Sequence, residues 1–91
     1  MGRVAQTIQD KLTHSFSPVR LEVVDDSARH KGHHGAPEGG ESHFNVVIVS
    51  GAFKGRSRIQ RQRDVYTALS EELAGPVHAL SIKAFAPDEQ A

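Results

Sequence analysis

A fourteen-residue segment, Ser27-Ala-Arg-His-Lys-Gly-His-His-Gly-Ala-Pro-Glu-Gly-Gly40, separates two runs in which apolar and polar side chains alternate. Five of its residues are Gly or Pro and three are histidines, His30, His33 and His34, so it has too few apolar side chains to enter a core. It is expected to form a long, mobile surface loop, a feature uncommon in compact domains unless the loop is functional or disordered. No helical pattern lies between the flanking runs. Strands joined in this way are expected to pair antiparallel.

The rest of the chain follows from its periodicities. Val4, Ile8 and Leu12 recur at i, i+4 and i+8, and Phe16 extends the row. This predicts a helix over residues 3–15, stopped at Ser17-Pro18 because the residue before a proline is pushed out of the α region. Val19, Leu21 and Val23 alternate with Arg20 and Glu22, the pattern of a half-buried strand. Over residues 41–50, Phe44, Val46 and Ile48 share one face while Val47 and Val49 share the other, which predicts a central strand covered at least partly on both sides. Residues 51–55 read as a turn and residues 56–63 as a basic stretch with a short helical turn. A helix carrying Val65, Leu69 and Leu73 is expected from Asp64 to the stop signal Gly75-Pro76. A third strand is expected over residues 77–85, with His78, Leu80 and Ile82 on one face, followed by a polar tail over 86–91.

The expected order is α-β-β-α-α-β, with the last two strands joined through a helical crossover and therefore parallel if adjacent. A three-stranded mixed sheet with helices packed on one face buries all these stripes at once, an α+β arrangement. At 91 residues the chain is expected to be a single domain across 1–91.

Composition narrows the chemistry. The chain has no cysteine, which excludes disulfides, thiol nucleophiles and any thiolate metal ligand of its own. Eleven basic and eleven acidic residues cancel, so attraction to nucleic acid or an anionic membrane would require a local patch. The N-terminal residues pass into an amphipathic pattern without an apolar signal core, and no window reaches the ~18 apolar residues of a membrane span. A cytoplasmic protein without membrane contact is the expectation. No nucleophile motif, phosphate-binding loop or paired carboxylates are legible, so the chain is not expected to be an enzyme.

Two groups of residues carry possible binding chemistry. The first is histidine. His30, His33 and His34 offer imidazoles suited to zinc, iron, copper or nickel, and His78 adds an imidazole near the rigid start of a strand. Simple metal binding by the loop is one option; a solvated loop is the other. His78 also fits the role of a partly buried side chain bonded to backbone. His43, at odd parity beside Phe44, is expected to point away from the core. The second group is Lys54, Arg56, Arg58, Arg61 and Arg63, five cations in ten residues. They form either a solvated face balanced by Asp64, Glu71 and Glu72 or a phosphate-contacting surface whose binding would be salt-sensitive. The element order resembles KH domains of the second type, but residues 51–55 read Gly-Ala-Phe-Lys-Gly and lack the Gly-x-x-Gly clamp, which disfavours KH-style RNA binding.

Taken together, Leu21-Glu-Val-Val-Asp-Asp-Ser27, Gly40-Glu-Ser-His-Phe-Asn-Val-Val-Ile-Val-Ser50, Phe53-Lys-Gly55, Gln60-Arg-Gln-Arg-Asp-Val-Tyr-Thr-Ala-Leu-Ser-Glu-Glu-Leu73 and Pro76-Val-His-Ala-Leu-Ser-Ile82 resemble the BolA family. The resemblance implies the KH-like α-β-β-α-α-β fold. It also implies a protein that is monomeric alone and forms a heterodimer with a monothiol glutaredoxin, the pair sharing a [2Fe–2S] cluster in iron–sulfur homeostasis or redox signalling. The glutaredoxin cysteine and a glutathione thiolate would supply sulfur ligands. The family's own ligands are the histidine of Val-His-Ala-Leu, here His78, and a Cys or His in the loop between the first two strands. Lacking cysteine, the chain falls in the histidine-type branch. Counting forward from Val-Asp-Asp-Ser selects His30, and counting back from Glu-Ser-His-Phe selects His34 or His33. The chain departs from the family in its longer loop and in Gln62, where the family often reads Arg-His-Arg. The family also contains DNA-binding regulators, which makes duplex DNA a second expected partner, through Lys54, Arg56, Arg58, Arg61 and Arg63.

Overall fold

The apolar row near the N-terminus folds as its spacing predicts. In the computed structural model, which describes residues 2–26 and 42–89, helix α1 spans Arg3–Phe16 and buries Ala5, Ile8 and Leu12. It ends where Ser17 turns left-handed (φ 44°, ψ 57°) and donates its N–H to Thr13 O at 3.0 Å. A non-glycine residue there costs roughly 1 kcal/mol, and Pro18 prevents the helix from simply continuing.

Three strands follow: β1 (Arg20–Asp25), β2 (His43–Val49) and β3 (Ala79–Phe85). Their order is β1-β2-β3, so β2 is central as its two-sided apolar pattern predicts. β1 pairs antiparallel with β2, placing Leu21 opposite Ile48 and Val23 opposite Val46. β3 runs parallel to β2 with Phe44 opposite Leu80 and Val46 opposite Ile82. This register puts the apolar sets of all three strands on the face that α1 and the later helices cover. The core joins Ile8 and Leu12 to Phe44, Val46, Ile48, Val65, Leu69, Val77 and Ile82. Val19 departs from its expected place: it precedes β1 and is 72 % exposed, although its N–H still reaches Val49 O at 2.8 Å.

Residues Gly51–Phe53 form a single 3-10 turn, and Phe53 within it is fully buried, 5.0 Å ring to ring from Phe16. Ser50 holds this corner. Its hydroxyl donates to Phe16 O at 2.5 Å and accepts the Ala52 N–H at 3.1 Å, so a buried polar group is satisfied on both sides. Gly55, at φ 77°, closes the turn that follows.

The expected division between the second and third helices is displaced. Helix α2 spans Arg58–Ala68 and takes in most of the basic stretch, whereas α3 is only Ser70–Ala74, the break falling at Leu69. The reason is local. Ser57 caps α2 in a reciprocal box, Gln60 N–H donating to Ser57 Oγ at 3.1 Å and Ser57 N–H donating to Gln60 Oε1 at 2.8 Å. Among the described residues, no helix is long and apolar enough to cross a membrane.

Candidate functional site

The parallel pairing of β2 and β3 sets the first candidate site. His43 opens β2 and lies opposite Ala79, which opens β3, so the two strands start side by side. Just before β3, the His78 N–H donates to Ser42 O at 2.7 Å, and the Ala79 N–H approaches the same carbonyl at 3.2 Å. The backbone of His78 is therefore anchored while its side chain is exposed. This corrects the expectation that His78 shares the face of Leu80 and Ile82. The strand starts one residue later, at Ala79, and His78 occupies a bend to which the period-2 rule does not apply.

The imidazoles of His43 and His78 lie 6.3 Å apart between ring centroids, inclined by 18°. Ser42 Oγ is 2.8 Å from His43 Nδ1, which fixes one ring nitrogen of the half-buried His43. A shallow depression of about 240 Å³, lined by Asp26, His43, Asn45, Ala79 and Ser81 among others, adjoins this edge. From sequence, His43 is expected only to face away from the core; its closeness to His78 follows from strand register. The candidates His30, His33 and His34 lie outside the described residues. Among the described residues, no group of three or more His, Cys, Asp or Glu is disposed to hold a metal ion. His43 and His78 together are an imidazole pair that suits a borderline metal, but they form part of a coordination sphere only.

The basic residues do not form one surface. Arg56 is paired with Asp64 through Nε–Oδ2 at 2.5 Å and Nη2–Oδ1 at 2.9 Å. Arg61 is largely covered, its side chain 12 % exposed, and binds inward to Arg56 O, Ala84 O and both carboxylate oxygens of Glu89. Its neighbour Gln62 donates Nε2–H to Ile82 O at 2.9 Å. Arg61 and Gln62 thus occupy the carbonyls of Ala84 and Ile82 on β3, an edge strand of the sheet, and hinder strand addition there. Lys54, Arg58 and Arg63 are exposed and make no ion pair among the described residues. Glu71 and Glu72, expected to balance the basic run, instead pair with Lys11 of α1 at 3.3 and 2.9 Å. The Glu72 carboxylate is the main reason that the Lys11 ammonium is held above its ordinary range.

Electrostatics around Arg61 are strong. Its two hydrogen bonds, helped by the Ala86 N–H, pull the Glu89 carboxyl down to about 2 from its ordinary 4.5. The same contact with Glu89 raises Arg61. Beside this pair, a groove of about 560 Å³ runs between α2 and the edge of β3.

Comparison with known proteins places these features in a family context. The family model for BolA-like proteins matches residues 12–89. The chain is 50 % identical over 86 residues to BolA-like protein 1 of Mus musculus, covering 94 % of this chain and 60 % of that protein. It is 45 % identical over 82 residues to the DNA-binding transcriptional regulator BolA of Escherichia coli strain K12, covering 90 % of this chain and 74 % of that one. Among solved structures, the BolA domain of SufE1 from Arabidopsis thaliana superposes with a TM-score of 0.89 at 44 % identity, covering 99 % of both chains. The chain spans 60 % to 62 % of the length of the mammalian relatives it matches.

Proposed function

The chain belongs to the BolA-like family, and from that premise we propose that it is a non-enzymatic adaptor that pairs with a monothiol glutaredoxin and shares a [2Fe–2S] cluster with it. The observation that carries this reading is the exposed His78 imidazole on an anchored backbone, with the His43 ring 6.3 Å away. The edge fits the group in the chemistry of its donors: neutral imidazoles replace thiolates on one iron in known [2Fe–2S] centres. His78 would supply one ligand and one of His30, His33 or His34 the second. The remaining ligands would come from the glutaredoxin cysteine and glutathione, as the family resemblance implies, since this chain has no cysteine of its own.

Histidine ligation would raise the cluster's reduction potential relative to an all-thiolate centre. This chain's own contribution is positional. The paired N–H bonds to Ser42 O hold His78 at the end of a rigid sheet. Ligation by imidazole competes with protonation, so the shared cluster would loosen under acidic conditions, a property suited to sensing or transfer. The test is to mix the protein with cluster-loaded glutaredoxin and follow the visible circular dichroism. A change with the wild type that is lost with His78→Ala supports the reading; the same change in both discards His78 as a ligand.

A second reading is favoured by the similarity to the DNA-binding transcriptional regulator BolA of Escherichia coli and by three exposed cations. In it the protein regulates transcription by contacting duplex DNA through Lys54, Arg58 and Arg63, with Arg56 and Arg61 bracing the helix. The salt dependence of duplex binding should become shallower in Arg58→Ala/Arg63→Ala, by about one unit of log–log slope per lost phosphate contact. An unchanged slope removes this surface from consideration.

A further inference from the structure

The groove between α2 and β3 lies at the far end of β3 from His78; the glutaredoxin reading does not use it, and the DNA reading shares with it only Arg58 as a contact residue. It is lined by Arg58 and Arg61 of α2 and by Ile82, Lys83 and Phe85 of β3, among others. Its volume of about 560 Å³ falls in the range of ligand-binding clefts. Arg58 and Lys83 are exposed and carry no ion pair among the described residues. Arg61 already displays the ligand chemistry. It grips the Glu89 carboxylate at 2.5 and 2.9 Å in a two-pronged contact, and the Ala86 N–H donates to Glu89 Oε1 at 2.9 Å.

We propose that this groove is a docking site for an acidic peptide segment of a partner protein, and that Glu89 is its built-in competitor.

Three considerations favour that occupant. A partner's Glu or Asp can take over the same three donors that now hold Glu89, so the exchange leaves no donor stranded. The incoming segment also gains Arg58 and Lys83, which Glu89 does not engage, and clusters of cations of this kind recognise acidic motifs. An apolar side chain next to the acid would pack against the half-buried Phe85. A duplex is a poorer match, since Arg61 sits inside a concavity, where a projecting carboxylate reaches and a convex phosphate backbone does not. Strand addition along β3 is hindered because Arg61 and Gln62 occupy the carbonyls of Ala84 and Ile82.

The probe is a fluorescein-labelled peptide, Glu-Glu-Leu-Glu-Glu, followed by anisotropy at low ionic strength, with the Gln-for-Glu peptide and a short duplex DNA as comparisons. Glu89→Gln weakens the internal competitor and should tighten peptide binding about fivefold, while Arg58→Ala/Lys83→Ala should weaken it about tenfold. In the unaltered protein, titration with the same peptide should shift the NMR signals of the Gln62 side-chain amide and the Arg61 Nε–H, a measurement that does not depend on any variant folding. The proposal is overturned if those signals stay in place at saturating peptide, if the Gln-for-Glu peptide binds equally well, or if Arg58→Ala/Lys83→Ala binds like wild type. It is likewise overturned, in favour of a phosphate site, if the duplex and not the peptide binds through Arg58 and Lys83.

Discussion

Arg61 of α2 and Glu89, just beyond the last strand, are joined through both guanidinium–carboxylate contacts, 2.5 and 2.9 Å, although they lie 28 residues apart in the chain. The pair closes the C-terminal end of the fold onto α2, and Ala84 O and the Ala86 N–H complete its hydrogen bonding.

The first prediction concerns acid. The Glu89 carboxyl has its pKa lowered by folding, so its contribution to stability is fully present above the ordinary value of 4.5 and is lost as pH falls through about 2. The carboxyl carbon of Glu89 should therefore hold its ionised NMR shift at pH 4 and titrate only near the lower value. Arg61→Ala should bring the midpoint back toward 4.5. A wild-type midpoint already there would show that the contact does not persist in solution.

A second prediction follows from the capped edge of β3. Gln62→Leu leaves Ile82 O without its side-chain partner and should lower stability by about 1 kcal/mol in urea denaturation. Uncovering a strand edge also invites pairing between copies. Analytical ultracentrifugation should show concentration-dependent association for Gln62→Leu and less or none for wild type.

The corner between α1 and β2 gives a third. Phe53 is fully buried against Phe16, so Phe53→Ala should cost about 3–5 kcal/mol, a large share of the stability of a small domain. Ser50→Ala removes a donor to Phe16 O and an acceptor for the Ala52 N–H in a buried setting and should cost about 1–3 kcal/mol. Ser57→Ala, which breaks the exposed capping box of α2, should cost only about 1 kcal/mol. Thermal denaturation that ranked Ser57→Ala as the most damaging of the three would contradict this account of the corner.

The fourth separates function from folding at the histidine edge. The His78 side chain is exposed and its fixed contacts are made by its backbone, so His78→Ala should change stability by no more than about 0.5 kcal/mol. The same variant should lose the spectral change on mixing with cluster-loaded glutaredoxin. Loss of both folding and the spectral change would mean that the side chain is structural.

Much of the architecture was written locally. The i, i+4 row of α1, the alternation in β1 and β2, the stop at Gly75-Pro76 and the helical crossover before β3 each depend on near neighbours, and each led to the observed element and pairing. The Ser57–Gln60 capping box is a local signal of the same kind, Ser followed three residues later by Gln, and it marks the start of α2 at Arg58. The family match likewise needed only the order of short motifs.

What the chain's local pattern did not contain is how distant segments meet. Phe53 reads as part of a turn because nothing nearby in sequence indicates that Phe16 will pack against it. His43 and His78 belong to opposite faces by parity, and they become neighbours only because β2 and β3 pair in parallel register and β3 starts at Ala79. The five cations look equivalent in a row, yet tertiary packing turns Arg61 inward to Ala84 O and Glu89, pairs Arg56 with Asp64, and leaves Arg58 lining a groove beside Lys83 of β3. Periodicity determined which elements form and which faces they bury, because burial of an apolar stripe is a property of the segment itself. Only the tertiary structure decided which polar side chains are consumed within the fold and which remain for partners, because hydrogen bonds and ion pairs depend on short distances that the register of remote strands and helices sets.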